Sequence, residues 1–380
     1  DGRVRRTCCH GSSVGVGSRR HEALACSGEL TCLTPGSCSS RNPNATAAQA
    51  SVDQIRQAPH SKITPPDAEI LQAVPERSLM MDKLLAIFFN QASDFPRALD
   101  QAKTIFNREQ TPEGAKNVAL LMRRCKKLDD AVAFIEQHED LFDPIDLNDA
   151  LCSTHWARKD VAASIRHGRR SLELKDAAAP EAEPITPVTR PFDPEARTRN
   201  IIAFSLFGDD RRYLTGAMNN AIVTRYLYPG WTARFYADDS VPAAFRNQLG
   251  AQGAQVLMLD GDWTADKYGL FWRFVVEDDE DVDFYLVRDA DSVCNIKERA
   301  AVEDWLASGK AFHLMRDLPI HCELILAGMW GAQRGNLSGN VGQMAQLIRT
   351  HVETAVKKLN NRITDQEFTR NVLWPIVKQD

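Results

Sequence analysis

The pattern of apolar and polar positions changes character three times along the chain. Residues 1–62 show no apolar period and are rich in Ser, Gly, Arg and Pro. That pattern predicts a disordered N-terminal segment. Residues 63–176 read as an all-helical domain, with a repeat visible from about residue 76. Small–large pairs stand at Ala98–Leu99, Ala131–Val132 and Ser164–Ile165, each 33 residues after the last. A second set, Leu85–Ala86, Val118–Ala119 and Leu151–Cys152, lies about twelve residues before each. Small residues let two helices approach and the large neighbour fills the groove. One helical hairpin cannot bury such a face alone, whereas three stacked hairpins can.

Prolines at 180, 184, 187, 191 and 194 interrupt the pattern and predict a linker over 177–198. From residue 199 to 380 strands and helices alternate. The expected strands are 200–208, 232–238, 255–259, 283–287 and 311–315, and the expected helices 211–227, 241–251, 267–278 and 296–308. Alternation at this pace predicts right-handed crossovers and a mostly parallel, Rossmann-like sheet. In such sheets ligands bind beyond the carboxyl ends of the strands. Phe207, Gly208, Asp238, Asp289, Asp291 and Asp317 thereby become site candidates.

The repeats resemble the tetratricopeptide repeat family. The closest unit is "VAASIRHGRRSLEL", with Ser164, Ile165, Ser171 and Leu172 in the small and large positions. The family's Trp and Gly signatures in the first helix are missing, so an ordinary helical bundle stays open. The resemblance implies a possible protein partner on the helical surface.

Composition narrows the classes. The chain of 380 residues is 43% hydrophobic and 26% charged, with net charge −5, so nothing favours nucleic acid or an anionic membrane as partner. No apolar run is long enough to span a membrane. The best, "LMMDKLLAIFF", is broken by Asp82 and Lys83. The sequence starts at Asp1 rather than Met, so it reads as a fragment and an upstream signal or anchor stays open. Cys8, Cys9, Cys26, Cys32 and Cys38 match no zinc spacing, and Asn44 is a glycosylation sequon without a secretory signal. Cys125, Cys152, Cys294 and Cys322 are scattered, which favours packed thiols in a reducing compartment and a cytoplasmic location. No G-x-G-x-x-G follows the first strand and no P-loop occurs, against a dinucleotide-binding dehydrogenase and a P-loop NTPase.

The candidate chemistry lies in "YLVRDADS", where Asp289 and Asp291 close the fourth expected strand. Two carboxylates so close repel unless a cation lies between them. Mg²⁺ or Mn²⁺ takes one or two protein carboxylates and completes its shell with phosphate oxygens. The alternative is that Asp291 or Ser292 only caps the next helix.

The order "RDADS…HLMRD…AGMWG…DQ" resembles GT-A-fold glycosyltransferases over about residues 199–377. It looks like the glycosyltransferase modules attached to tetratricopeptide-like repeats. The resemblance implies a metal-dependent hexosyltransferase that moves a sugar from a nucleotide-diphosphate donor to a hydroxyl on a glycan or protein. Asp289 and Asp291 would hold the Mn²⁺ or Mg²⁺ and the donor phosphates. Arg273 would contact phosphate or sugar, or else be a surface helix charge; Arg288 would join the donor site. Gly328 would let the backbone approach the sugar, and Asp365 and Gln366 would reach the transferred sugar or acceptor. Phe204, Ser205 and Phe207 would meet the base, and Asp238 base or ribose. Asp317 would be a general base, or would pair with Arg316 or Arg288. His313 and His321 would be third metal ligands or packed histidines. Members of the group carry a late His-Asp-Ser-like segment beyond the Trp-Pro that matches Trp374–Pro375, so a domain cut short at its C-terminus is expected. The rival reading is a non-catalytic repeat protein with a degenerate glycosyltransferase-like domain.

Overall fold

The computed structural model describes Ala50 and residues 63–259, 261–357 and 365–380. Except for Ala50, the expected disordered segment 1–62, with its cysteines and sequon, lies outside the described residues.

After a helix over Pro65–Gln72 come three helical hairpins. They are Leu79–Gln91 with Phe95–Arg108, Pro112–Arg124 with Leu128–Gln137, and Pro144–Ala157 with Val161–Ala178. The three inner turns are built alike. Ser93, Lys126 and Lys159 take φ values of 58°, 59° and 64°. For a residue with a Cβ this left-handed conformation costs ~1–2 kcal/mol. The residue after each closes the helix, with Asp94 N, Lys127 N and Asp160 N donating to the carbonyls of Phe89, Met122 and His155 at 2.8–2.9 Å. These bonds satisfy carbonyls the helix end would leave open. Leu85, Ala98, Leu99, Val118, Ala131, Val132 and Leu151 share one core, as the spacing of small–large pairs requires. Ile165 does not follow the expectation: it is 39% exposed.

The C-terminal part is built on a mixed six-stranded sheet, ordered β3-β2-β1-β4-β6-β5. The strands are β1 (Asn200–Leu206), β2 (Thr232–Ala237), β3 (Gln255–Met258), β4 (Phe284–Arg288), β5 (Phe312–Leu314) and β6 (Met329–Gln333). β1 pairs in parallel with β2 and β4, and β2 with β3. β6 runs antiparallel between β4 and β5, so the sheet is less parallel than expected. The sequence does not advertise β6, because Gly331 weakens its strand propensity. The glycine is needed there: a Cβ would sit 2.5 Å from the Tyr285 carbonyl oxygen.

Both faces of the sheet are covered. Helices Arg211–Leu227 and Ile296–Ser308 pack on one face with Ile202, Phe204, Phe284 and Leu286. On the other face Ile201, Ala203, Tyr285 and Val287 meet Phe271, Trp272, Ile348 and Phe368. The expected helix 267–278 is one α turn followed by a 3₁₀ run over Gly269–Asp278. The helix Met344–Lys357 is an element beyond those expected from the sequence.

The expected linker 177–198 starts two residues late, because the last helix runs to Ala178; residues 179–196 have no regular structure before a short 3₁₀ turn at Arg197–Arg199. This segment is nonetheless pinned along the sheet unit. Ile185 N donates to Gln379 at 2.9 Å, Val188 N to Asn336 at 2.8 Å and Arg190 N to Gln333 at 2.7 Å. The last hairpin also docks directly. Lys175, only 1% exposed, bonds Asp149 at 2.9 Å, Glu323 at 3.0 Å and the Cys322 carbonyl at 2.7 Å. Cys125, Cys152, Cys294 and Cys322 are free thiols. Among the described residues no helix is long and apolar enough to cross a membrane.

Candidate functional site

The order β3-β2-β1-β4 makes the chain wind outward from β1 in one direction and return on the other side at β4. The carboxyl ends of β1 and β4 therefore flank a topological switch point, where a crevice forms without special side chains. A cavity of about 560 Å³ opens there. Its walls come from Ser205–Asp210 at the end of β1 and beyond, Asp289–Asp291 after β4, and from Tyr213, Leu270, Arg273, Ala327, Gly328, Asp365 and Gln366.

Strand alternation decides which side chains reach it. On β4, Tyr285 and Val287 face the 3₁₀ side and Phe284 and Leu286 the helix side. Asp289 continues the first set into the cavity. Arg288 continues the second and is buried under helix Ile296–Ser308, where its Nε donates to Glu298 at 2.9 Å. The same rule separates Ser205 and Phe207, which line the cavity, from Phe204, which stacks on Phe235 at 4.9 Å in the opposite layer.

Arg273 organises the floor. Only 5% exposed, it is no surface charge. Its backbone N–H donates to Ser205 Oγ at 3.0 Å and its guanidinium to the Arg288 carbonyl at 3.2 Å. The same guanidinium pairs with Asp289 and, at 2.7 Å, with Asp365. Burial pushes the Asp365 carboxyl above its ordinary value; Arg273 opposes the rise and Asp289 adds to it. Asp291 is paired with Arg212, at 2.5 Å.

Two glycines mark close approaches. A Cβ on Gly328 would sit 2.1 Å from Asp289 Oδ2, so the carboxylate lies against bare backbone. A Cβ on Gly216 would sit 2.2 Å from the Ala290 carbonyl oxygen, so helix Arg211–Leu227 presses on the turn between the two aspartates. One turn further along, Asn220 fastens that contact. Its side chain donates to Ala290 O at 3.2 Å and Ser292 O at 3.0 Å, and accepts from Cys294 N at 2.9 Å.

Nine nominated residues thus share one cavity: Ser205, Phe207, Gly208, Arg273, Asp289, Asp291, Gly328, Asp365 and Gln366. Gln366 also holds the wall, since its carboxamide bonds the backbone of Ile325 and Ala327. Six nominated residues do not line it: Phe204, Asp238, Arg288, His313, Asp317 and His321. Phe204 and Arg288 face the other layer. Asp238 accepts from Ser240 N at 3.1 Å and Ser240 Oγ accepts from Gly208 N at 2.7 Å, so Asp238 stands one layer behind the wall. Asp317 pairs with Lys297 at 3.1 Å and His321 at 2.7 Å, which removes the geometric ground for its role as base. His321 is engaged there, and His313 is buried against Trp305 with its pKa lowered by burial to about 3. Neither histidine belongs to the cavity wall.

No sequence pattern points to Asp209, Asp210, Arg212, Tyr213, Leu270, Gly216 or Asn220. "DDRRY" after Gly208 looks like an ordinary capped helix start, and Asp210 does cap that helix through Arg212 N at 2.8 Å.

Among the described residues no group of three His, Cys, Asp or Glu side chains is arranged to hold a metal ion. Asp289 and Asp291 supply two hard oxygen donors at one cavity, which suits Mg²⁺ or Mn²⁺ when phosphate and water complete the shell. Among the described residues the lining carries five carboxylates (Asp209, Asp210, Asp289, Asp291, Asp365) and one cation, Arg273. A bare diphosphate would be repelled from such a wall, and a cation–diphosphate pair would not.

No family model and no curated protein matches the chain. Among solved structures, a variant of the Thermobaculum terrenum O-GlcNAc transferase is similar at 16% identity over 65% of this chain, with a TM-score of 0.34. The chain spans 46% of that neighbour's length.

Proposed function

We propose that this chain is a glycosyltransferase that moves a sugar from a nucleotide-diphosphate donor to a hydroxyl acceptor. The observation that carries the reading is the meeting, at the sheet's switch point, of Asp289 and Asp291 with Asp365 and Gln366 from the far end of the chain. Phe207, Tyr213 and Leu270 give that cavity apolar surface beside the acids, suited to the flat face of a base or sugar. Asp289 and Asp291 would hold a divalent ion, which as a Lewis acid stabilises charge on a departing diphosphate. Arg273 fixes Asp289 and Asp365 in place. Gly328 leaves Asp289 room beside the backbone, and Gln366 keeps the Ile325–Ala327 wall in position.

Asp291→Asn is expected to abolish metal-dependent release of nucleoside diphosphate from a panel of nucleotide-sugars. Unchanged turnover in that variant would remove the assignment. A non-catalytic relative is favoured by one observation: both motif aspartates already carry arginine partners. Donor binding by calorimetry with Mn²⁺, without turnover over long incubation, would select that second reading.

A further inference from the structure

The cavity's three most enclosed acids are neutralised unequally. Asp289 and Asp365 share the guanidinium of Arg273, whose side chain is 6% exposed and which also bonds the Arg288 carbonyl. Asp291 has Arg212 instead, at 2.5 Å, with the arginine side chain 73% exposed and the aspartate 16% exposed. Arg273 cannot leave without stranding its own charge and the Asp365 carboxylate, 14% exposed, away from water, which is costly; Asp289 is 47% exposed and would stay half in water. Arg212 can leave for open water. Beside Asp291, its guanidinium lies 5.7 Å from the centre of the Tyr213 ring. Its backbone is fixed by the Asp210 cap, so only the side chain has to move.

We propose that Arg212 is a displaceable counter-charge on Asp291, and that a divalent cation reaches Asp291 only by exchanging with its guanidinium. This rests on the cation site of the preceding reading and names the residue that sets its affinity. The pair keeps the acidic cavity from self-repulsion when no ion is bound. It also lowers cation affinity, because the ion must break an ion pair and come close to a positive charge. The released guanidinium stays at the cavity mouth, beside Tyr213, where a donor phosphate would pass.

The test is Mn²⁺ alone, titrated into the full chain at constant ionic strength and followed by the spin-resonance signal of free Mn²⁺. Arg212→Gln is expected to bind about five- to tenfold more tightly than the parent, the scale of losing one partly exposed ion pair and one like charge. Arg212→Lys keeps the charge and is expected to stay within about twofold of the parent. Asp291→Asn is expected to lose binding in either background. Equal affinity of the parent and Arg212→Gln, with binding still lost in Asp291→Asn, overturns the exchange and leaves the cation site standing. No Mn²⁺ binding in the parent or in Arg212→Gln removes both. Arg212 is a surface residue, and thermal melting of each variant checks that it folds like the parent.

Discussion

Gly328 shows how one missing atom shapes the cavity. With Asp289 Oδ2 lying 2.1 Å from the site of an added Cβ, Gly328→Ala must push the carboxylate aside or shift the wall. Displacement of a positioned group by about 1 Å costs about a hundredfold in rate. Donor turnover in Gly328→Ala is therefore expected to fall by about that factor with little change in melting temperature. A rate within about threefold of the parent would show that Asp289 does not need its present place. The two aspartates were legible in the sequence because a strand end followed by D-x-D is a local signal. Their arginine partners were not. Arg273 lies 16 residues from Asp289 and 92 from Asp365, and its neighbours exist only after folding.

At the scale of elements, helix Arg211–Leu227 does more than cover the sheet. Its first turn carries Arg212 and Tyr213 to the cavity mouth, while Gly216 and Asn220 grip the turn that bears the aspartates. Asn220 is fully buried and satisfies three backbone groups. Each buried polar group left without a partner costs ~1–3 kcal/mol. Asn220→Ala is expected to lower unfolding free energy by about 2–4 kcal/mol in urea titration, given that some of the gap will relax. A loss below about 1 kcal/mol would mean that the turn holds itself. The sequence placed this helix correctly at 211–227, yet gave no sign of which face meets the aspartate turn. Periodicity reports that a face is buried, not what lies against it.

At the scale of the whole molecule, the repeat hairpins and the sheet unit are joined through a buried charge network rather than by the proline-rich segment alone. Lys175 sits between Asp149 of the last hairpin and Glu323 of the segment that leads to Ala327 and Gly328. The last hairpin also packs closely at Gly168, where a Cβ would lie 2.6 Å from the Pro319 carbonyl oxygen. Removing the cation leaves two partly exposed carboxylates facing each other, a loss of about 2–3 kcal/mol after discounting for solvent. Lys175→Met is expected to show that loss. It should also split the unfolding transitions seen by far-ultraviolet dichroism and tryptophan fluorescence. Coincident transitions at parental stability would show that the network does not join the two units.

Chain-local physics settled much of this protein in advance. A 33-residue step of small and large positions, repeated three times, is written in neighbouring residues. So are β1 to β5 and the acids that close β4. Folding alone decided the rest. The antiparallel insertion of β6, the rejection of Phe204, Arg288 and Asp317 from the cavity, and the arginine set against each aspartate depend on residues tens of positions apart. Sequence patterns carry the period of an element, whereas the partner of a side chain is fixed by the side of the sheet it faces and by what packs there.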